Sequence, residues 1–125
     1  MAKYADACNL FGDLPTIRHK HGVLDRHCEA IGRDPSTITK TRLGRLVIAE
    51  TAEQAERKGR EMAQARGMDE ERYRGYVILG DPDVVCEQIS AYLDAGLDGL
   101  VFNMHDAQAL DPVRLAGTTL TNAFG

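Results

Sequence analysis

Two adjacent residues near the end of the sequence, His105 and Asp106, are the side chains best suited to chemistry. An imidazole that titrates near neutrality, beside a carboxylate, can take or give a proton. Adjacency alone is thin support, because such partners meet in space rather than in sequence, and the plainer reading is a loop. His19, His21 and His27 invite a metal reading. Residues two apart on a helix point to different faces, however, and no carboxylate or cysteine completes a set. They read as solvated or partly packed histidines, and no metal is expected. Arg42 and Arg45 could reach a phosphate or carboxylate; the plainer reading places them at the surface ends of a strand. There is no G-x-G-x-x-G after a strand, no P-loop, no G-x-S-x-G and no H-E-x-x-H.

The stretch that must position His105 and Asp106 runs from Gly75 to Asn103 and holds a loop, a helix and a strand. Asp81 is suited to N-cap that helix, with Pro82 at its first position, where a missing N–H costs nothing. Val85, Ile89, Tyr92, Leu93 and Gly96 recur at helical spacing, and Gly96 sits where a left-handed terminator is wanted. The apolar run Leu100-Val101-Phe102 then reads as a short strand buried on both faces. A helix delivering the chain into such a strand is a unit of a parallel α/β sheet or barrel.

Upstream, Lys3 to Gly12 reads as a strand end and turn. Asp13 to Ile31 reads as a helix, capped by Asp13 or Gly12, with Ile17, Leu24, Cys28 and Ile31 as its apolar stripe and Gly32 ending it. Ile38 to Ala49 alternates and then ends in Leu46-Val47-Ile48, a strand with Gly44 marking a bulge or close approach. Thr51 and Gln54 form a capping-box pattern for the next helix, whose small buried face is Ala55, Gly59, Met62 and Ala63. Met68 to Arg74 is so charged that it reads as an extended or mobile connector, anchored only by Tyr73 and Tyr76. Asp111 with Pro112 opens a closing helix whose apolar face is Val113, Ala116, Leu120 and Phe124.

The 125 residues read as one α/β domain, 1–125, short of the ~250 residues of a complete α/β barrel. Hydrophobic residues make up 43% and charged residues 27%, which is ordinary for a soluble globular chain. A net charge of −4 without a lysine or arginine cluster argues against nucleic acid or an anionic membrane as partner. No segment approaches the ~20 apolar residues of a membrane span. Cys8, Cys28 and Cys86 are odd in number and far apart, which fits reduced thiols in a cytoplasm.

Gly80 to Asn103, read as G-D-P-D-V-V-x-x-x-I-x-x-Y-x-D-A-G-L-D-G-L-V-F-N, resembles the last helix–strand unit of the luciferase-like monooxygenases. Two further segments resemble the same family. A-K-Y-A-D-x-x-N (Ala2 to Asn9) is similar to its sixth strand, and H-C-x-x-x-G-R-D-P (His27 to Pro35) to the end of its sixth helix. The resemblance implies a partial (β/α)₈ TIM barrel: three parallel strands with flanking helices, matching the last three βα units. It implies coenzyme F-420 or FMN as cofactor, bound at the barrel's C-terminal mouth, and hydride transfer or monooxygenation as chemistry. His105 and Asp106, just past the last strand, then stand where barrel enzymes place catalytic groups. Asp6, Asn9 and Asn103 are the matched positions that border the cofactor. The Gly-rich phosphate loop and the first five strands that supply most cofactor contacts in the family have no counterpart here. The chain is therefore expected to be inactive alone, and whether it binds coenzyme F-420, FMN or neither is left open by the sequence. Met1 falls inside a family element, which reads as a late start, a truncation or a designed cut.

Three parallel strands leave two open edges and an uncovered face, each a template for another chain. A homo-oligomer that completes the sheet is expected. Three readings follow: a fragment of a flavin or deazaflavin oxidoreductase, a stand-alone assembly or binding module, and an oligomer that rebuilds a cofactor pocket between subunits.

Overall fold

The computed structural model describes residues Met1–Gly125. Its elements in chain order are β1 (Ala7–Leu10), α1 (Leu14–Ala30), a 3₁₀ turn (Pro35–Thr37), β2 (Thr39–Ile48), α2 (Ala52–Ala65), α3 (Glu70–Tyr76), β3 (Val77–Gly80), α4 (Pro82–Asp94), β4 (Gly99–Asn103) and α5 (Leu110–Phe124). β1 and β3 both pair with β2 in parallel, in the registers Ala7 to Thr39 and Arg45 to Val77, and β4 also pairs with β2. The sheet is parallel and open, in a mixed α/β fold of βα units.

The caps act as their sequences dictate. Asp13 accepts from the Thr16 amide at 3.0 Å, Thr51 from Gln54 at 3.2 Å and Asp81 from Val84 at 3.0 Å, each satisfying an orphan donor of a first helical turn. Gly12, at φ +128°, is held in the left-handed region; a Cβ there would lie 2.6 Å from Thr16 Cγ2.

Contacts gather into two compact units, Met1–Leu43 with Ala91–Val101, and Gly44–Ser90 with Phe102–Gly125. In the first, Cys8, Leu24, Cys28 and Ile38 form a buried cluster, with Ala2 and Leu10 against it. Arg33 ties the amino-terminal segment down by donating to the carbonyls of Ala2 (2.9 Å) and Ala5 (2.7 Å). In the second, Val47, Ala63, Tyr73, Val77 and Leu79 form the core, flanked by Met62 and Met68. Gly59 allows α2 to lie on Leu79, since a Cβ there would stand 2.7 Å from Leu79 Cδ1. Gln88 of α4 reaches back to β3, its carboxamide accepting from Leu79 N–H (3.2 Å) and donating to Leu79 C=O (2.9 Å).

Several expectations are corrected. The charged connector is helical: Asp69 caps α3 by accepting from Arg72 N–H, Glu70 and Glu71 complement the helix dipole, and Tyr73 is fully buried while Tyr76 is exposed. A fourth strand, β3, follows it. β4 is not buried on both faces, for Val101 is 51% exposed and β4 pairs only with β2. α5 starts at Leu110 after Ala109, which makes no side-chain cap bond, rather than from Asp111 as cap. Ile31, Val113 and Phe124 are exposed; of the apolar face expected for α5, only Ala116 is buried.

Candidate functional site

In the second unit, polar groups converge at the carboxyl end of β2. Leu46, Val47 and Ile48 are buried; the chain then turns through Ala49 and Glu50 into α2. Lys58, from the second turn of α2, sends its ammonium back to the strand end. It donates to the Ile48 carbonyl at 2.8 Å and lies 2.5 Å from Asp106 Oδ2. Both side chains are largely buried, at 25% and 18% exposure. Both Asp106 oxygens are out of solvent without a hydrogen bond: Oδ2 meets the Lys58 charge as an ion pair, and Oδ1 has no protein partner. The ion pair thus fixes the loop after β4 to the end of β2, and it leaves one carboxylate oxygen free to accept a proton donor. Next to it opens a cavity of about 310 Å³, lined by Ile48, Gln54, Arg57, Lys58 and the first turns of α5 at Asp111 and Leu115.

His105 is exposed beside this pair. Slight desolvation by its neighbours, and then the positive charges of Arg66 and Arg45, push its pKa below the ordinary imidazole value, with Asp106 opposing. Near neutrality the ring is therefore the neutral base. The two best sequence candidates do lie together, but Asp106 pairs with Lys58 and makes no hydrogen bond to His105. Asn103, exposed, ends β4 two residues before them.

The other candidates lie in the first unit. Asp6 is exposed and precedes β1; its carbonyl accepts from Thr39 N–H. Asn9 is exposed near the strand's carboxyl end, its Oδ1 accepting from the Thr41 hydroxyl at 3.1 Å. The two therefore fall toward opposite ends of β1. No group of three or more histidine, cysteine or acidic side chains is placed to hold a metal ion.

Two polar residues are buried rather than solvated. His21 is 7% exposed; its Nδ1 donates to the Ala95 carbonyl at 2.9 Å, and Nε2 is buried without a partner. Arg42 is 2% exposed, not a surface strand end. Its Nε donates to the Gly12 carbonyl at 2.8 Å and its guanidinium lies 4.4 Å from the Tyr92 ring centroid. The D-A-G-L-D string proves structural as well. Ala95 accepts from His21, and Gly96 turns at φ +101°. Asp98 both donates to the Lys40 carbonyl (2.8 Å) and accepts from Lys40 N–H (2.7 Å), registering the start of β4 on β2.

Lys58 was absent from the sequence candidates. The one available signal was its position at the border of the Ala55–Gly59–Ala63 face, where a long side chain can turn either to solvent or to the strand end.

Solved structures of the same fold cover nearly the whole chain. The coenzyme F-420-dependent tetrahydromethanopterin reductase of Methanopyrus kandleri matches 99% of it at a TM-score of 0.73 and 14% identity. A riboflavin lyase, solved with modified FMN and riboflavin, matches 97% at 0.75 and 16% identity. A long-chain alkane monooxygenase matches 97% at 0.74 and 16% identity. The chain covers 47%, 39% and 37% of these proteins, so it spans less than half the length of each. No protein-family model matches the sequence, and no curated protein does. The fold is that of part of the barrel shared by F-420-dependent reductases and luciferase-like FMN monooxygenases.

Proposed function

We propose that this chain is the carboxyl-terminal part of a luciferase-like oxidoreductase that uses a flavin or deazaflavin, inactive without the remainder of the barrel. The observation that carries this reading is the correspondence of fold along almost the entire chain with enzymes of that kind.

The residues present suit the border of such a cofactor rather than its whole site. The cavity of about 310 Å³ lies at the small end of ligand pockets, which run to ~1,000 Å³, and admits only part of a flavin or of coenzyme F-420. Arg57 and Gln54 line it and could receive an anionic or hydroxyl-bearing segment of the cofactor. The bound group would supply hydride transfer or oxygen activation. The chain's own contribution would be local: Lys58 holds the Asp106 carboxylate, and the neighbouring exposed imidazole of His105 would accept a proton. The free thiols Cys8, Cys28 and Cys86 favour a reducing, cytoplasmic setting. That setting predicts three titratable thiols in protein unfolded after purification without reductant.

A second reading, an assembly or binding module without activity, is favoured by the exposed apolar residues Val101, Leu110, Val113 and Phe124. β1 and β4 each pair only with β2, and on either reading we infer self-association.

Titration of the folded protein with FMN and with coenzyme F-420, followed by fluorescence and melting temperature, tests the cofactor claim. A ligand that binds only the native state must raise the melting temperature with its concentration. A saturable rise with one cofactor would show that this chain holds a pocket of its own. No rise with either retires cofactor binding by the isolated chain and leaves an inactive part of a barrel or an assembly module, which a stoichiometric partner in pull-downs then separates.

A further inference from the structure

Arg42 is tied into the fold, but Arg45, three residues on in β2, is not. Alternate side chains of a strand share a face, so Arg45 lies on the face of Val47. Tyr73 of α3 shares a buried cluster with Val47 and with Val77, the residue in register with Arg45. From the end of α2, Arg66 brings its guanidinium to 6.0 Å from the Tyr73 ring centroid. Two half-buried arginines thus flank one aromatic ring, all within the second compact unit. Neither has a carboxylate within ion-pair distance: the pairs present join Lys58 to Asp106, Arg74 to Glu56 and Arg114 to Asp111.

The exposed ring of His105 completes the group. The charges of both arginines act on it, as they do on the Tyr73 phenol. Asp106 is the one carboxylate that acts on His105, and Lys58 already engages it. Two positive charges are therefore left without a counter-ion, on a chain whose net charge is −4. Like charges held together repel, and a guanidinium cannot relieve that by losing its proton. Nor does the sheet offer relief, since β2 already pairs with β1, β3 and β4 and has no open margin beside the group. A small anion does relieve it. The guanidinium fork sets two N–H donors against two oxygens of a carboxylate or a phosphate.

We propose that Arg45, Arg66 and His105 form a binding site for the carboxylate or phosphate end of a small ligand. The proposal stands on these side chains and not on the cofactor reading, so a failure to bind FMN and coenzyme F-420 leaves it intact.

Titration of the folded protein with sodium sulfate and with sodium acetate, at constant ionic strength, tests it. Sulfate stands in for phosphate and stays a dianion over the whole imidazole range. Nuclear magnetic resonance follows the Nε–H signals of Arg45 and Arg66 and the ring signals of His105. Saturable shifts with sulfate support the site and assign a phosphate; saturable shifts with acetate support it and assign a carboxylate. Unsaturable drift with both overturns it. Arg45→Gln and Arg66→Gln, shown by circular dichroism to be folded, should each weaken binding ~10-fold or more. Undiminished affinity in both puts the anion elsewhere and overturns the site. A second measurement needs no anion. In either variant His105 should protonate at a higher pH than in wild type, because a positive neighbour is gone. A titration unmoved in both overturns the grouping itself. Sulfate should also bind more tightly when the imidazole is charged than when it is neutral, and His105→Gln should abolish that difference. An affinity independent of pH in wild type overturns the part assigned to His105.

Discussion

Replacing Lys58 by methionine keeps most of the side chain's volume and removes its charge, so it isolates the polar knot at the end of β2. Two interactions disappear: the charged hydrogen bond to the Ile48 carbonyl and the ion pair with Asp106. A hydrogen bond to a charged group contributes ~1.5–3 kcal/mol. Breaking a fully buried pair costs ~3–5 kcal/mol, because the partner charge is stranded. Lys58 and Asp106 keep 25% and 18% of their surface, so solvent recovers a good part of both losses. The net cost should be about 2 kcal/mol, which for a chain of this size lowers the melting temperature by roughly 8 °C. Asp106→Asn should be milder, since the ammonium keeps its carbonyl partner. The double variant should then recover about 1 kcal/mol relative to the sum of the singles, a coupling that distant residues do not show. Thermal and urea melts of the four proteins at neutral pH supply the numbers. A Lys58→Met protein within 0.5 kcal/mol of wild type, or additive costs in the cycle, would refute the claim that this pair fixes the loop carrying His105.

Three other perturbations follow from the geometry. Gly12→Ala forces a Cβ against Thr16 at a left-handed φ, so urea melts should show a loss of ~1–3 kcal/mol, whereas Gly117→Ala, in open space on a helix, should not destabilise. Tyr73→Ala empties a fully buried site in the second core and should cost ~3–5 kcal/mol, while Tyr76→Ala, one turn on and exposed, should change stability by less than ~0.5 kcal/mol. The Asp13 and Asp34 carboxyls are held below their ordinary value of 3.8 by hydrogen bonds from Thr16 and Ser36, so their stabilisation is complete above that value and is lost as pH falls through the lowered native values. Acid melts of an Asp13→Asn/Asp34→Asn protein should accordingly slope less below pH ~4 than those of wild type.

What the sequence made legible was local. Asp13, Thr51 and Asp81 could be read as caps because a cap needs only its own next three residues. The parallel α/β class followed from short apolar strands delivered by well-signalled helices. Two short elements escaped. α3 has seven residues, most of them charged, and is helical because Asp69 caps it and Tyr73 is drawn into a core made by β2, β3 and α2. β3 has four, and its pairing with Arg45 to Ile48 is invisible until the sheet is assembled. The buried cations escaped for the same reason. Arg42 finds the Gly12 carbonyl and Lys58 the Ile48 carbonyl, and a backbone oxygen carries no sequence signature. Within the candidate site His105 and Asp106 were legible from their position after a strand. The residue that orients Asp106 was not, since Lys58 comes from α2, 48 residues earlier in the chain.

The bond pair between Gln88 and Leu79 has a consequence for which peptides can add to the sheet. In a parallel strand, alternate residues turn both backbone groups to the same side; Gly80 gives its carbonyl to Ala49 on the β2 side, so Leu79 presents its pair to the other. There the carboxamide of Gln88, one acceptor and one donor, occupies both positions that a neighbouring peptide would otherwise take. The side chain acts as a one-residue plug on the raw margin of β3. This margin is thereby closed to stray peptide, and with it one route to cross-β aggregation.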